Sequence, residues 1–189
     1  MRAYVIATNI SVEPFGDSIT DIAVGGVPFS QWQQALFDKF GLECVRVASA
    51  DDVPTNEARL VTFDNVFFTR RVLKSFLANW KKAGESASRV ALPKDSKFIE
   101  LYSDLQEHTI EGEHVLFDLW LLPAGATRSD ATALPVIFKE KILELRMPKT
   151  ITGLDEWVHP VTSSVVMHVH HWIHVLQANL LSIQIRWVD

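Results

Sequence analysis

The chain has 189 residues, a net charge of −5 and a sequence pI near 5.8. Its length fits one domain, with room for a small appendage, and a hydrophobic content of 48% is enough for a packed core. The acidic balance argues against a nucleic-acid-binding protein, which would carry a basic stripe. A single cysteine, Cys44, excludes an internal disulfide, and no secretory signal is recognisable, so we expect a cytoplasmic protein.

Short apolar runs in the first half of the chain predict strands. The first of them is apolar without alternation, which is typical of a strand buried on both faces. A loop of glycines and polar residues follows it, and a polar loop separates the second run from the third. The predicted strands are Arg2–Thr8, Cys44–Ala48, Arg59–Phe63 and Arg89–Leu92.

Two amphipathic stretches between these strands predict helices. The first would begin at Ser30, with Gln33 three residues later as in a capping box, and Gly41 is placed to end it. The second would be capped by Thr69 and closed by Gly84. The alternation of strands and helices predicts an α/β domain with a mixed, mostly parallel, Rossmann-like sheet and helices on both faces.

The second half of the chain changes character. From about Val165 to Trp187 it suits a long helix, so apolar that another surface must cover it, while its histidines and amides make a membrane span an unsuitable interpretation. We therefore divide the chain into an α/β domain, 1–158, and a C-terminal linker or docking helix, 159–189. Short runs before that helix predict antiparallel or edge strands: Lys97–Tyr102, His114–Leu122, Pro135–Phe138 and Lys141–Met147.

Several segments follow the order and spacing of one known family. A Val-Gly-Gly turn at Val24–Pro28 precedes a helix that ends at Gly41, and a strand follows. Near the C-terminus, Val175–Leu181 contains the sequence A-N-L. These features resemble the sugar-nucleotide pyrophosphorylases, nucleoside-triphosphate transferases with a GT-A-like sheet, in which the A-N-L helix often leads into a left-handed β-helix. The resemblance implies that Asp64 occupies the position of an aspartate that holds magnesium and the nucleotide phosphates.

The chain also departs from that family. Where the family has the phosphate-binding G-x-G-T-R, this chain has T-N-I-S-V at residues 8–12, and Ile19 stands near the position of an expected lysine. Side chains in place of these glycines keep backbone amides away from a triphosphate. The resemblance therefore implies a degenerate nucleotidyltransferase-like domain. In an active member, a sugar 1-phosphate oxygen would attack the α-phosphate and release pyrophosphate; whether this chain is an enzyme stays open.

The predicted site lies at the carboxyl ends of the strands. An active enzyme would use magnesium there, held by Asp64 and a second carboxylate, for which Asp155 or the neighbouring Glu156 is the positional candidate; an inactive domain would use no cofactor. Asp118 lies inside an apolar run, so its burial would demand a partner. The predicted ligand-binding residues are Thr8, Asn9, Gly25, Gly26, Asp64 and Asn65.

Two clusters have alternative interpretations. His170 and His174 are four apart, a spacing that suits zinc on a helix, but no third ligand is evident, and the histidines also suit polar spots where the helix packs on another surface. Arg70 and Arg71 face an anionic ligand in one interpretation and solvent in the other.

Two functions follow from the sequence. The first is a domain of sugar-nucleotide metabolism that binds a nucleotide or sugar phosphate. The second is a non-catalytic regulatory or assembly domain that docks an acyltransferase-like β-helix module or another subunit through its C-terminal helix. Either function is compatible with a homo-oligomer.

Overall fold

The computed structural model describes residues 1–102, 106, 109–146 and 156–188. Its helices are α1 (Phe29–Lys39), α2 (Arg70–Lys82), α3 (Lys97–Tyr102) and α4 (Trp172–Val188), with short 3-10 turns at Ala50–Asp52 and Arg128–Asp130. Its strands are β1 (Arg2–Ile6), β2 (Ser11–Val12), β3 (Asp17–Ser18), β4 (Ala23–Val24), β5 (Val27–Pro28), β6 (Glu43–Val47), β7 (Arg59–Phe63), β8 (Val66–Phe68), β9 (Ser88–Pro93), β10 (Thr109–Glu111), β11 (His114–Leu122), β12 (Thr132–Pro135), β13 (Glu140–Arg146), β14 (Glu156–Thr162) and β15 (Val166–His168).

A seven-stranded sheet organises the fold, in the order β12-β9-β11-β7-β1-β6 with β10 attached to β11. β1 pairs in parallel with both β6 and β7, and β12 pairs in parallel with β9. β11 runs antiparallel to β7 and β9, between them. The predicted mixed, mostly parallel sheet is therefore confirmed.

The main hydrophobic core lies on one face of this sheet. Alternate residues of the strands, such as Val5 and Leu60, point into it and meet the apolar faces of α1, α2 and α4. α2 contributes the face that the sequence predicts, including Phe76 and Trp80. Burial of these large side chains stabilises the fold by about 1.5–3 kcal/mol each.

The opposite face of the sheet carries a smaller cluster. Ile6, Val61, Trp120 and Leu122 form it, and the residues packed against it include Ala50 from the first 3-10 turn. The long helices therefore lie with the main core, and the helical pieces beside the second cluster are short.

The loop after β1 is more regular than its sequence suggests. It folds into two small hairpins, β2–β3 and β4–β5. Gly25 and Gly26 form the turn of the second hairpin with φ of +61° and +83°, as a type I′ turn requires. Between β7 and α2 lies β8, which pairs with β15 and so brings the C-terminal part of the chain against the end of β7.

Several local predictions were wrong because tertiary contacts decide them. α1 begins at Phe29 after Pro28, and Ser30 makes no capping box. Gln33 instead donates its side-chain amide to the carbonyls of Phe63 and Val66, both at 3.1 Å, so it ties α1 to the end of β7.

The predicted cap and strands near the middle also change. Thr69 precedes α2, but its hydroxyl donates to the Ser163 carbonyl at 2.6 Å rather than capping the helix. Lys97–Tyr102 forms α3, not a strand, and it buries residues at helical spacing. The strand predicted at Pro135–Phe138 lies earlier, at Thr132–Pro135.

The C-terminal helix begins later than predicted. Residues Val166–His168 pair with β8, and the amide of Trp172 donates to the Glu13 carbonyl at 2.8 Å, so strand-like contacts hold this segment extended up to the start of α4. The predicted boundary between residues 158 and 159 lies inside β14. No helix in the described ranges is long and apolar enough to cross a membrane.

Candidate functional site

The candidate site lies where β1 and β7 end. These two strands are parallel neighbours with Ile6 opposite Phe63, so the residues that follow them emerge at the same edge of the sheet. The amide of Asp64 donates to the Ile6 carbonyl at 3.0 Å, which extends the pairing by one residue. Ligand sites of open α/β sheets lie at this edge.

Asp64 anchors the loop that follows β1. Its Oδ1 accepts hydrogen bonds from the amide of Thr8 at 3.1 Å and from the Thr8 hydroxyl at 2.6 Å, and the residue is only 5% exposed. Hydrogen bonds to a carboxylate are stronger than those between neutral groups. Asp64 therefore fixes the backbone at the point where the family that the sequence resembles has its glycine-rich loop.

Two cavities open beside this anchor, and Ile10 lines both. One, of about 360 Å³, is also lined by Asn9 and Asp64. The other, of about 500 Å³, is lined by Asn65 and by residues from β9, β10, β11 and the segment around β15: Arg89, Thr109, Asp118, His168 and His170. We call the two cavities together the carboxyl-end cleft.

Asp118 lies between two basic side chains in this cleft. Nη2 of Arg89 donates to its Oδ1 at 2.5 Å, and Nε2 of His168 lies 3.2 Å from its Oδ2, within ion-pair distance but outside hydrogen-bond angles. Nε of Arg89 also donates to the Phe117 carbonyl at 3.1 Å, and its guanidinium lies over the ring of Trp120. The sequence demanded a partner for Asp118, and the structure supplies two.

These contacts set the protonation of Asp118. Burial raises the pKa of this carboxyl, but the contact with His168 and the charge of Arg89 together outweigh it and hold the pKa below its ordinary value. Asp118 is therefore an anion at neutral pH, and its charge is matched by Arg89.

The carboxylates fit a magnesium site poorly. Oδ1 of Asp64 is engaged by Thr8, and Asp118 faces two basic groups instead of open space. Asp155, the second predicted ligand, lies outside the described residues. Within those residues, no three His, Cys, Asp or Glu side chains are grouped as a metal site needs. The magnesium prediction, made for an active enzyme, stays a prediction.

The other predicted site residues lie elsewhere. Gly25 and Gly26 line no cavity of the cleft; their turn packs on α4, where Asn179 accepts from the Gly25 amide at 3.0 Å and donates to the Ala23 carbonyl at 3.0 Å. Asn179 belongs to the A-N-L sequence, so the two segments that carry the family resemblance bind each other.

The predicted zinc pair is placed differently from a helical i, i+4 pair. His170 precedes α4 and His174 lies in it, fully buried, with the two rings 4.7 Å apart between centroids. Zinc binding by this pair stays a prediction. Arg70 and Arg71 line a separate cavity of about 400 Å³ at the start of α2, with Lys74.

Sequence reasoning missed several cleft residues. Arg89, Thr109 and His168 come from three separate segments that only the sheet topology brings together. A signal existed for one contact: a lone carboxylate inside an apolar strand predicts a buried basic partner. Nothing in the sequence identified which arginine or histidine that partner is.

Comparison with known proteins supports the fold. The structure is similar to that of a Bacillus anthracis protein assigned as a glucose-1-phosphate thymidylyltransferase, in complex with a sucrose, at 9% identity and a TM-score of 0.50, over 96% of this chain and 95% of that one. An inositol-1-phosphate CTP transferase from T. maritima matches at 9% identity over 70% of this chain and 78% of that one, with a TM-score of 0.39. No protein-family model and no curated protein matches the sequence. At these identities the likeness concerns the fold, and the chain has a nucleotidyltransferase-like α/β fold.

Proposed function

We propose that this nucleotidyltransferase-like domain binds a nucleotide or sugar phosphate in the carboxyl-end cleft and no longer transfers a nucleotidyl group. The observation that carries the proposal is the pair of hydrogen bonds from Thr8 to Asp64. They give this carboxylate a structural task at the position where the related family uses an aspartate for metal and phosphate. The cleft itself remains.

The cleft supplies donors to a phosphorylated ligand without a metal ion. Arg89 is held in place by Asp118 and by the Phe117 carbonyl, and a guanidinium fixed in this way suits phosphate oxygens. The side chains of Asn65 and Thr109 line the same cavity and can bond sugar hydroxyls. Because Asp118 offsets the charge of Arg89, we expect modest affinity that falls with salt.

A calorimetric titration tests the proposal. Nucleoside triphosphates and sugar nucleotides would each be titrated with magnesium and with EDTA, and pyrophosphate release would be followed with sugar 1-phosphates. We expect binding of at least one ligand to persist in EDTA, with no pyrophosphate formed. Pyrophosphate release that requires magnesium would show a retained enzyme, and failure of every ligand to bind would refute the cleft as a nucleotide site.

Neighbouring residues of β10 give a matched pair of variants. Thr109 lines the cleft, whereas Ile110 is 62% exposed and lines none of the described cavities. Thr109→Trp should fill the cleft and weaken ligand binding about tenfold or more, because a bulky ring displaces the ligand. Ile110→Trp should bind like the wild type. Equal behaviour of the two variants would place the ligand elsewhere.

We propose docking to a second copy of this chain as the alternative function, because α4 has an exposed apolar stripe. Trp172, Leu176, Leu180 and Ile183 are between 42% and 57% exposed, and their spacing puts them on one side of the helix. None of these side chains is charged. An uncharged stripe is complementary to itself, so a twofold pairing of α4 helices buries it without opposing charges.

Oligomeric state decides the alternative. Light scattering after gel filtration should give a dimer for the wild type and a monomer for Leu176→Glu, because two carboxylates would face each other across the twofold. Ile110→Glu, at an exposed apolar residue outside α4, should leave the dimer intact. A wild-type monomer at high concentration would refute the docking surface without affecting the cleft.

A further inference from the structure

A cavity of about 340 Å³ lies on the sheet face that carries the smaller hydrophobic cluster. Ile6, Val61 and Leu122 form its floor, and Ala50 and Val53 from the region of the first 3-10 turn form a wall. These surfaces are apolar, so the body of any ligand that fits must be apolar as well. Asn65 and Asp118 line the carboxyl-end cleft and not this cavity.

A buried arginine lines the cavity without an anionic partner. Arg59 is 2% exposed, and its guanidinium donates only to backbone carbonyls, at distances from 2.6 to 3.5 Å: those of Thr55, Glu57, Pro123 and Ala126. Its Nε has no hydrogen-bond partner, and no carboxylate of the described residues lies within 4.0 Å of it. Buried charges are ordinarily paired, because desolvation of a lone charge is costly.

The charge of Glu57 acts on Arg59 through space, but its carboxylate makes no ion pair with the guanidinium. Glu57 accepts hydrogen bonds from Nη1 of Arg2 at 3.2 Å and from the Tyr4 hydroxyl at 2.9 Å, and it is already paired by them. Burial lowers the pKa of Arg59 from its ordinary value, as expected for a cation deprived of water. An arginine nevertheless stays protonated in proteins, so the cavity has a positive charge behind its apolar floor.

A second arginine stands at the cavity rim with its donors unused. Arg128 lies over the rings of Phe63 and Trp120, 5.5 and 5.4 Å from their centroids. Stacking on two aromatic faces holds a guanidinium in a fixed plane and leaves its N–H edge open. In the described part of the chain, no acceptor takes a hydrogen bond from this side chain.

From this arrangement we propose a binding site for a small organic monocarboxylate with a short aliphatic body. The carboxylate is bound by the N–H edge of Arg128, with the charge of Arg59 behind it, and the aliphatic chain lies on Ile6, Val61 and Leu122. Asp51 also lines the cavity, but it is exposed, so water screens its charge. A phosphate ion alone lacks the apolar body that these walls select.

Hexanoate is the probe that tests the site. It would be titrated into methyl-labelled protein, with the methyl resonances of Ile6, Val61 and Leu122 observed by NMR. We expect saturable shifts of these methyl resonances with hexanoate. Hexanol and inorganic phosphate should bind with an affinity at least about tenfold lower. Absence of saturation with hexanoate, or equal binding of hexanol, would overturn the proposal.

Variants separate the site from the rest of the protein. Arg128→Gln should weaken hexanoate about tenfold, whereas Arg70→Gln, at an exposed arginine that lines a different cavity, should not. Ala50→Trp should abolish binding by filling the cavity, and it leaves the buried Arg59 in place. Hexanoate binding that survives both Arg128→Gln and Ala50→Trp would refute the site. Nucleotides should leave these methyl groups unshifted, so this test fails or succeeds independently of the carboxyl-end cleft.

Discussion

Two parts of the segment after β1 differ in how closely they match the family that the sequence resembles. The Gly25–Gly26 turn matches the sequence of the sugar-nucleotide pyrophosphorylases, the family that this chain resembles, and Asn179 of α4 binds it through two hydrogen bonds. The stretch that starts at Thr8 lacks that family's glycines, and Asp64 binds its backbone instead. Both contacts join a loop to a distant segment through one polar side chain.

These two parts distinguish a contact that supports the fold from a position where the resembled family binds phosphate. The Gly25–Gly26 turn holds α4 through Asn179, and this contact stabilises the fold whether or not a reaction takes place. In the proposed function the loop after β1 does not handle phosphate, and its backbone then needs other hydrogen-bond partners. The carboxylate beside that loop then serves folding, and a test of stability rather than activity reveals it.

The largest effect is expected at the Asp64 anchor. Asp64→Ala removes the acceptor for both donors of Thr8 in a site that is 5% exposed. We expect a loss of about 2–3 kcal/mol in the free energy of unfolding, because hydrogen bonds to charged groups are the stronger kind. Urea unfolding at pH 7 would measure it.

Asp64→Asn is the control for the anchor, since it keeps one acceptor oxygen and should lose about 1 kcal/mol. If Asp64→Ala unfolds at the wild-type urea concentration, Asp64 does not anchor the loop, and the contrast with the Gly25–Gly26 turn disappears.

The second-largest loss of stability is expected at Asp118 in the cleft, and this loss should depend on pH. Contacts with Arg89 and His168 lower the pKa of Asp118 in the folded protein, so this carboxylate stabilises the fold above the unfolded pKa, near pH 4. The contribution is lost as pH falls through the folded pKa. Asp118→Asn should therefore cost about 2 kcal/mol at pH 7 and progressively less below about pH 4.

Urea unfolding of the wild type and of Asp118→Asn, from about pH 7 down to about pH 3, would test this prediction, because carboxyl groups titrate near pH 4. Asp51→Asn, at an exposed carboxylate, is the matched control and should follow the wild type. A constant difference between wild type and Asp118→Asn across the range would mean that the pair contributes no pH-dependent stability.

The sequence predicted the parts of the fold that depend on local patterns. The strand Arg59–Phe63 and the apolar face of α2 follow from runs and spacings within a single segment. The sequence could not reveal that the side chain of Gln33 would donate to the end of β7 instead of capping α1, because this partner lies thirty residues away in the chain. α3 was missed because six residues carry too short a periodic signal.

The sequence predicted where the candidate site lies but not all of the residues that line it. Asp64 and Thr8 were expected at one edge of the sheet, and they lie there in direct contact. His168 was assigned to a helix, yet it lies on β15, and the pairing of that strand with β8 brings it to Asp118. Such pairings are long-range, so no local pattern in the chain encodes them.

At the turn, the larger of two expected effects comes from Asn179. Asn179→Ala removes the acceptor of the Gly25 amide and the donor to the Ala23 carbonyl, which should cost about 1–2 kcal/mol. Gln177→Met is the control on the same helix, because Oε1 of Gln177 is buried without a partner and its loss should be neutral or stabilising. Thermal unfolding would rank the two variants, and equal losses would show that Asn179 does not clamp the turn.

The smallest effect is expected at Gly26. Its φ of +83° disfavours a side chain, but a Cβ built there would meet no atom within 4 Å, so Gly26→Ala should cost only the backbone strain, about 1 kcal/mol. Because that strain lies in the turn and not in the cleft, unfolding should show the loss while ligand titrations of the folded protein remain unchanged. Gly26→Asn should lose less, since asparagine tolerates positive φ. A Gly26→Ala variant that folds normally but loses nucleotide binding would assign the turn to the ligand site and remove the distinction between the two parts of the segment.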